Sequence, residues 1–249
     1  MIQLFVTGTD TGVGKTTVAC ALLAAARARG LRAMAIKPVE TGCARDPDGP
    51  LRPADALALE RASRDPLARR ETAAPDRPTE PTPISTVYRF AAPLAPSVAA
   101  RMAGDAVALA PIVRAVDRLR SLAPDLLLIE GAGGLLVPLS ESTDMTDLAA
   151  ALAVPLLVVA RDSLGTINHT LLTLEAAAAR GLRVAGVVLC AAAPGTSDRD
   201  AARNADEIAR RSRVPVLGRL GPLPDLEPST LAEAAEAACL LDRLHPEMI

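Results

Sequence analysis

Residues 8–17, Gly-Thr-Asp-Thr-Gly-Val-Gly-Lys-Thr-Thr, have the composition of a phosphate-binding loop. The apolar run Ile2–Val6 before them predicts a buried strand, and the alanine-rich segment Val18–Arg29 after them predicts a helix. Between a strand and a helix, the backbone amides of such a loop and the helix N-terminus attract phosphate groups. Lys15 is expected to reach the β- and γ-phosphates, and the Thr16 hydroxyl to contact Mg²⁺. The stretch therefore predicts a protein that handles a nucleoside triphosphate.

The loop departs from the common pattern G-x-x-x-x-G-K-[ST] at one position. That pattern has glycine at position 9, where this chain has Thr9, and Gly8 lies one residue earlier. A chance glycine-rich helix start is the alternative interpretation, which the strand and helix on either side disfavour. The longer spacing is instead a clue to which nucleotide-dependent family the chain resembles.

The composition indicates a folded globular protein. A chain of 249 residues, 50% hydrophobic, can bury one sizeable core or two small ones. A net charge of −2 and the absence of tryptophan disfavour a basic nucleic-acid surface or a base-stacking platform. The chain begins directly with a strand, which predicts no signal peptide, and its cysteines have no metal or redox spacing. We expect a cytoplasmic protein without nucleic-acid or membrane partners.

Apolar runs and helical segments alternate along the chain. Strands are predicted at Leu4–Val6, Ala33–Ile36, Leu126–Ile129, Leu156–Ala160, Ala185–Leu189 and Val216–Leu220. Helices are predicted at Thr16–Arg29, Ala54–Ala62, Ala95–Met102, Ala108–Leu122, Met145–Leu152, Ile167–Arg180, Arg199–Arg211 and Thr230–Leu244. This alternation predicts the α/β class, a doubly wound, mainly parallel sheet flanked by helices in a single P-loop NTPase-like domain spanning residues 1–249. Residues 43–93, rich in Pro, Arg and Asp, are interpreted as an irregular, substrate-facing insertion.

Two polar segments follow predicted strands, at the sheet edge where ligands bind in such folds. Lys37, in Lys37-Pro38-Val39-Glu40-Thr41-Gly42, could stabilise negative charge on a transferred phosphoryl group or a carboxylate. A surface lysine at a strand end is the alternative. Glu130, in Glu130-Gly131-Ala132-Gly133-Gly134, follows four apolar residues and needs a cation partner if it is buried. A tight turn is the alternative there.

Two further segments begin predicted helices. Asp55 lies in the first turn of the helix from Ala54, where an acidic side chain suits the helix dipole. Gly165-Thr166-Ile167-Asn168-His169 opens another helix just after a strand, so its exposed amides could bind a carboxylate or phosphate. His169 is expected to be a polar helix residue without a catalytic role.

Together these segments closely resemble the dethiobiotin synthetase family. The family pattern G-T-D-T-x-V-G-K-T matches Gly8–Thr16 including the extra loop residue, and K-P-V-x-[ST]-G matches Lys37–Gly42. S-D-A-L-A-L matches Ala54–Leu59 with alanine in place of serine, V-E-G-A-G-G resembles Ile129–Gly134, and L-G-x-I-N-H matches Leu164–His169. The resemblance spans residues 2–190 in order, and as a set these motifs are highly specific.

The resemblance implies a homodimeric ligase of biotin biosynthesis. It implies that ATP and Mg²⁺ drive closure of a cyclic urea on 7,8-diaminononanoate with CO₂, through a carbamate and a carbamic–phosphoric anhydride. Lys37, Lys15 and Thr11 would be catalytic, and Mg²⁺ would be held by Thr16, Asp55 and Glu130. Implied ATP-binding residues are Gly12, Val13, Gly14, Lys15, Thr16, Thr17, Asp55, Glu130, Gly131, Ala132, Gly133, Cys190 and Pro222. Implied substrate-binding residues are Thr11, Lys37, Thr41, Gly134, Gly165, Thr166 and Asn168, with Gly165–Asn168 contributed by the partner subunit.

One position departs from the family. Cys190, at the end of the strand Ala185–Leu189, stands where the family has an asparagine that contacts adenine. A thiol cannot make the paired hydrogen bonds of an amide. We therefore hypothesise a relaxed nucleotide preference, with another triphosphate such as CTP also serving.

Rival interpretations share the P-loop. ATPase switches of the partitioning type place a second lysine early in the loop, as K-G-G-x-G-K-T, where this chain has Thr9 and Asp10. Other ATP-dependent amide or carboxyl ligases are a further alternative. Among them, a corrin-amidating synthetase needs an appended glutaminase domain, for which 249 residues leave no room. A non-catalytic binding module is disfavoured by the presence of Lys15, Lys37, Asp55 and Glu130.

Overall fold

The computed structural model describes residues 1–45, 49–64, 86–191 and 198–244. Ten strands are described, namely β1 (Ile2–Gly8), β2 (Ala33–Ile36), β3 (Val39–Thr41), β4 (Ala44–Arg45), β5 (Leu51–Arg52), β6 (Tyr88–Phe90), β7 (Leu126–Gly134), β8 (Leu156–Arg161), β9 (Val184–Cys190) and β10 (Val216–Leu220). The described helices are α1 (Lys15–Ala28), α2 (Ala54–Ser63), α3 (Pro96–Met102), α4 (Leu109–Ser121), α5 (Met145–Leu152), α6 (Thr166–Ala179), α7 (Asp198–Ser212) and α8 (Pro228–Ala237). Among these helices, none has both the length and the apolar character that a membrane span requires.

The central sheet has six strands in the order β10-β9-β8-β1-β7-β2, all paired in parallel. The chain moves from the central strand β1 to the edge strand β2, returns to β7, and then continues on the other side of β1 with β8. The strand order therefore changes direction beside β1, and ligands bind at such switch points in open α/β sheets. The predicted doubly wound α/β fold is confirmed.

Each face of the sheet carries its own hydrophobic core, because successive side chains of a strand point to opposite faces. Leu4 and Val6 of β1 pack in one cluster with α1 and α8. Phe5 belongs to the other cluster, with residues of α4 and α5. Helix α1 is alanine-rich because it lies between the sheet, α2 and α8, where small side chains allow close packing. This packing holds the N-terminus of α1 firmly at the sheet edge.

Two element boundaries differ from the sequence predictions by more than two residues, namely the ends of β7 and α8. Strand β7 does not end at Ile129 but continues through Glu130 to Gly134, because Gly134 still pairs with Gly8 of β1 after a register shift. The last predicted helix ends at Ala237 and not at Leu244.

The early end of α8 has a local cause. Cys239 adopts a positive φ of 52° just after the helix, and Leu240 donates its backbone N–H to the Ala235 carbonyl. This hydrogen bond across a left-handed residue is a common way to end a helix. It also turns the buried Leu240 toward Gly218 of β10, so a long-range packing contact accompanies the turn.

The segment 43–93, predicted as irregular, is partly regular. Strands β4 and β5 form a short antiparallel pair, α2 packs on α1 and β2, and β6 pairs with β3 in parallel. The proline-rich stretch Pro75–Pro83 lies outside the described residues. Helix α2 contributes Leu59 and Ala62 to the core cluster that contains α1. The described part of the segment is therefore attached to the domain core.

Candidate active site

The predicted phosphate-binding loop lies between β1 and α1, at the C-terminal edge of the sheet. Gly12 and Gly14 have φ of 69° and 99°, values that residues with side chains rarely adopt, and Gly14 is the N-cap of α1. Gly8 has a different role. A Cβ atom there would lie 2.8 Å from the Asp10 carbonyl oxygen and 3.0 Å from Lys15 Nζ. The glycine that comes one residue early therefore lets the loop backbone at Asp10 and the Val13 side chain, 2.8 Å from the same Cβ position, pack closely against β1.

The chain contains two lysines, and both are buried beside this loop. Lys15 donates from Nζ to the Asp10 carbonyl oxygen at 2.9 Å. Burial, and next the positive charge of Lys37, lower the pKa of Lys15 to about 8, against a smaller opposing effect of Glu130. A buried ammonium in this setting is stabilised by an added anion. The site therefore favours a ligand with several negative charges, such as a triphosphate.

Lys37 lies between two carboxylates. Its Nζ donates to Glu130 Oε1 at 2.6 Å and to Asp55 Oδ2 at 2.7 Å. Burial opposes the charge on Lys37, but Glu130 and Asp55 more than compensate, so the pKa of Lys37 is raised. Burial also acts against ionised Asp55, and the charge and hydrogen bond of Lys37 outweigh it, so the pKa of Asp55 is lowered. Lys37 and Asp55 are therefore both held in their charged forms.

The residues predicted to hold Mg²⁺ lie together and fit a hard divalent cation. Thr16 donates from Oγ1 to Glu130 Oε1 at 2.8 Å, and Lys37 joins Glu130 to Asp55. Glu130 is fully buried, and its Oε2 has no hydrogen-bond partner, which leaves a buried oxygen free to coordinate a cation. The described residues contain no cluster of three or more His, Cys, Asp or Glu side chains of the metal-binding kind. Two carboxylates and a hydroxyl are nevertheless a typical Mg²⁺ set when waters and phosphate oxygens supply the rest.

Glu40 was not predicted as a site residue, yet its buried carboxylate holds the start of α2. Its Oε1 accepts from the Asp55 amide and its Oε2 from the Ala56 amide, both at 2.9 Å. Burial is the main cause that raises the pKa of Glu40, against the two amide hydrogen bonds. The sequence signal that could have revealed this residue was weak, since Glu40 falls at the variable position of the K-P-V-x-[ST]-G motif.

A cleft of about 780 Å³ opens over the loop and these charged groups. Most of the predicted site residues line it, namely Thr11, Gly12, Gly14, Lys15, Thr16, Thr17, Lys37, Thr41, Asp55, Glu130, Ala132 and Gly133. The lining also includes residues that sequence reasoning missed, namely Glu40, Pro93, Leu94, Ala95, Pro96 and Val137. The residues from Pro93 to Pro96 lie at the start of α3 and close one side of the cleft. They carry no motif, and only the tertiary structure brings them to the site.

A smaller hollow of about 360 Å³ lies on the other side of Thr11, against α6. The predicted substrate residue Gly134 lines it, together with the exposed Leu136 and Leu172 and with His169. Thr11 lines both hollows. An elongated molecule with a polar end at the loop and an apolar body could extend from the cleft in this direction.

Several predicted ATP-binding residues lie outside the described lining of the cleft. Val13 is buried in the core, and Gly131 packs against the ring of Phe5, which a Cβ atom would approach at 3.0 Å. Pro222 is exposed beyond β10. The start of α6 is likewise separate: Gly165 is the N-cap, and Gly165 and Asn168 are exposed while Thr166 is buried.

Cys190 ends β9 and packs directly on the phosphate-binding loop. A Cβ atom at Gly14 would lie 2.4 Å from the Cys190 Sγ atom, so the thiol occupies the space next to that glycine. Burial is the main cause that raises the pKa of this thiol. The side chain therefore packs against the loop backbone, in contrast to the open position expected of a base-contacting residue.

Arg161, at the end of β8, also contacts the loop and was not predicted. Its Nη2 donates to the Gly12 carbonyl oxygen at 2.9 Å. The next residue, Asp162, is buried and accepts from Arg219 Nε at 2.5 Å and from Asn204 at 3.1 Å. These contacts fix the loop and the strand ends around Cys190.

Comparison with known proteins places the chain in a family. A family model described as an AAA domain matches residues 2–230. A relative from Anaeromyxobacter dehalogenans, named ATP-dependent dethiobiotin synthetase BioD, is 48% identical over 226 residues, which cover 91% of this chain and 92% of the relative. A Pseudomonas aeruginosa protein of the same name is 41% identical over 93% of this chain and 95% of its own. The chain belongs to the dethiobiotin synthetase family.

More distant solved structures share only the fold. The MinC:MinD cell division complex of Aquifex aeolicus superposes with a TM-score of 0.58 at 14% identity, covering 100% of this chain and 96% of that chain. A ParA family ATPase of Chlorobium tepidum gives 0.51 at 13% identity, covering 100% and 99%. The chain therefore shares the P-loop ATPase type of α/β fold with these two proteins.

Proposed function

We propose that this protein is an ATP-dependent dethiobiotin synthetase, a cyclo-ligase of biotin biosynthesis. It joins CO₂ to 7,8-diaminononanoate and closes the ureido ring, giving dethiobiotin, ADP and phosphate. The observation that carries the proposal is that the only two lysines of the chain converge, with Glu130 and Asp55, beside a triphosphate-binding loop in a member of this family.

The proposed reaction has three steps. One amine of the substrate takes up CO₂ and releases a proton, giving a carbamate. A carbamate oxygen attacks the γ-phosphorus in line, the bond to the ADP oxygen breaks, and a carbamic–phosphoric anhydride results. The second amine then attacks the anhydride carbonyl, loses a proton and expels phosphate, which closes the urea. Such transfers need positioning and charge neutralisation more than covalent help from the protein.

Lys15, Lys37 and Thr11 have different proposed roles in these steps, according to where each lies in the site. Lys15 neutralises the β- and γ-phosphates, and its lowered pKa indicates a need for such a partner. Lys37 stabilises the carbamate and the transferring phosphoryl group, because its buried ammonium is charged and faces the cleft. Thr11 holds the carbamate from the loop, where it lines both the cleft and the smaller hollow.

Mg²⁺ would be held by Thr16, Asp55 and Glu130. The orphan Glu130 Oε2 supports this assignment. When bound, the ion supplies charge neutralisation at the phosphate oxygens.

The diamine is proposed to lie between Thr41 and Gly134, with its distal carboxylate at Gly165, Thr166 and Asn168 of a partner subunit. Supporting this, Gly165 and Asn168 at the start of α6 are exposed and do not line the cleft of their own chain, and helix N-termini favour carboxylates. The working unit is therefore proposed to be a homodimer in the cytoplasm. Sedimentation velocity on the purified protein tests the dimer directly.

Nucleotide selection is proposed to be relaxed. The thiol of Cys190 packs on Gly14 and cannot make paired amide contacts with adenine. We expect CTP and GTP to bind with affinities comparable to that of ATP. Calorimetric titration of the three nucleotides measures this, and a strong preference for ATP would contradict the hypothesis while leaving the ligase proposal intact.

The decisive experiment is product formation. The protein is incubated with diaminononanoate, bicarbonate, Mg²⁺ and ATP, and dethiobiotin is sought by mass spectrometry. Lys37→Ala should lower kcat by at least about 100-fold, because Lys37 acts on the transition state. Arg61→Ala, which removes an exposed ion pair on α2, is the matched control and should leave kcat unchanged.

An ATPase switch of the partitioning type is the second candidate, favoured only by the shared fold. It predicts ATP hydrolysis that the diamine does not affect, and no dethiobiotin. That result would overturn the ligase proposal.

A further inference from the structure

Helix α2 carries Asp55 but has no cap of its own. Its N-cap residue is Pro53, with φ −80° and ψ 102°, and no side chain at that position accepts a hydrogen bond. The next residue, Ala54, has no side-chain oxygen that could accept from the amides at the helix start either. Uncapped amides at a helix start are costly when they are removed from water, and the Ala56 side of this start is buried.

Glu40 of β3 supplies the missing cap from a distant part of the chain. Its two carboxylate oxygens accept from the amides of Asp55 and Ala56, each at 2.9 Å. Counting from Pro53, these are the second and third helical amides, which are the two donors that an N-cap Ser or Asp side chain satisfies. The carboxylate charge also suits the positive end of the helix dipole.

Residues 37–40 contact both the side chain and the backbone of Asp55. Lys37 contacts the Asp55 side chain at 2.7 Å, while Glu40 accepts from the Asp55 backbone amide. The carboxylate of Asp55 is therefore aimed by two contacts from residues 37–40. Both Glu40 oxygens accept from backbone amides of α2, so its carboxylate serves as the cap although the residue also lines the cleft.

We propose that Glu40 is a positioning residue for the metal site: by capping α2 it holds Asp55 at the distance and angle needed to coordinate the divalent cation. This inference rests on the proposed function, specifically on the assignment of Asp55 as a metal ligand. It gives Glu40, at the variable position of the Lys37–Gly42 motif, a role that compensates for the missing side-chain cap at Pro53.

The test uses the full-length protein with Mn²⁺ as the probe. Binding is followed by loss of the free-ion electron paramagnetic resonance signal, with a non-hydrolysable ATP analogue at slightly less than the protein concentration. Glu40→Ala should weaken Mn²⁺ binding by about 10- to 100-fold, the usual effect of losing a partner that orients a metal ligand. Glu40→Gln is the milder variant and should weaken binding less, since one amide oxygen remains to accept.

A second substitution that restores the cap can distinguish a loss of Asp55 positioning from a general loss of stability. Pro53→Ser in the Glu40→Ala background places a hydroxyl at the N-cap, where it can accept from the same amides, and should restore much of the Mn²⁺ affinity. Asp144→Ala is the matched control, because Asp144 caps α5 through the Thr146 and Asp147 amides in the same way. It should lower the unfolding temperature without changing Mn²⁺ affinity.

The variants distinguish a failure of the positioning role of Glu40 from a failure of the proposed metal site. If Asp55→Asn weakens Mn²⁺ binding and neither Glu40 variant does, the positioning role is overturned and the metal site stands. If Asp144→Ala weakens Mn²⁺ binding as much as Glu40→Ala, the effect is general and the inference is again overturned. If Asp55→Asn leaves Mn²⁺ affinity unchanged, the proposed metal site itself is wrong, and the inference falls with it.

Discussion

Lys37 donates from Nζ to Glu130 Oε1 at 2.6 Å, and these two buried residues are 93 positions apart in the sequence. The pair joins the end of β2 to β7, which are neighbours in the sheet. The fully buried carboxylate of Glu130 gains a cationic partner in this way, because Lys37, one of the two lysines of the chain, lies against it. In a chain whose other residues of the Lys and Arg types are all arginines, the compact lysine ammonium reaches Glu130 and Asp55 together.

Removing one partner of this pair should destabilise the protein strongly. Lys37→Met leaves Glu130 buried without a cation, which costs about 3–5 kcal/mol. The double variant Lys37→Met/Glu130→Gln should recover much of the loss, because no charge is then left alone. Urea unfolding of the wild type, both single variants and the double variant measures the coupling.

The exposed pair Arg61–Glu227, at 2.9 Å, is the matched control for that cycle. Both of its side chains are exposed, and its coupling should be about 0.2–1 kcal/mol. A Lys37–Glu130 coupling as small as this would show that the pair is not buried in solution.

Lys15 should titrate near pH 8 in the protein without nucleotide or metal. Selective ¹³C labelling of lysine gives side-chain signals from two residues only, so both can be followed by NMR. Because its folded pKa lies below its usual value of 10.5, the folded state holds fewer protons than the unfolded state above about pH 8. Lys15 therefore contributes a gain in stability as pH rises from about 8 towards 10.5.

Lys37→Met supplies a check on the cause of that shift. It removes a positive charge beside Lys15 and leaves Glu130 and Asp55 without their partner, so the Lys15 pKa should rise. An unchanged Lys15 pKa in this variant would contradict the proximity of the two lysine ammonium groups.

Gly14→Ala should abolish nucleotide binding. An added Cβ would meet Cys190 Sγ at 2.4 Å and Cys190 Cβ at 3.0 Å, at a φ of 99°. Gly30→Ala isolates the backbone effect, since Gly30 has φ 75° and no atom within 4 Å of a Cβ. Gly30→Ala should cost about 1 kcal/mol from strain alone and leave nucleotide affinity unchanged. Calorimetry and thermal unfolding of both variants measure the difference.

The four cysteines should differ sharply in reactivity. Cys239 is exposed, whereas burial raises the pKa of Cys20 to about 12 and also raises the pKa values of Cys43 and Cys190. A higher thiol pKa leaves less reactive thiolate at pH 8. An aromatic disulfide reagent should therefore find one fast thiol in the folded protein and four in denaturant. Cys239→Ser should remove the fast phase, and a second fast thiol would contradict the burial of the others.

Much of the site could be predicted from sequence because its parts are local. The strand, loop and helix around Gly8–Thr17 follow from apolar runs and glycine spacing, and parallel strands bring Lys37 and Glu130 to one edge whatever the loops do. Glu40 and the residues from Pro93 to Pro96 could not be predicted in this way. Their places depend on how α2 and α3 pack, and no local pattern encodes that packing.

The sequence by itself determined that this protein has a parallel α/β sheet, a triphosphate loop with its first glycine one residue early, and membership of a ligase family. The sheet and the loop follow from periodicity and from contacts within a few residues, and the family follows from the resemblance of motifs along residues 2–190. The tertiary structure alone decided that Lys37 pairs with Glu130, that Glu40 caps α2, that β7 runs on to Gly134, and that Cys190 packs on Gly14. The physical reason is that a buried charge or polar group loses its hydration and needs a partner in exchange. In these cases the partner comes from a segment that is distant in the sequence, and only the packing of the whole chain brings the two together.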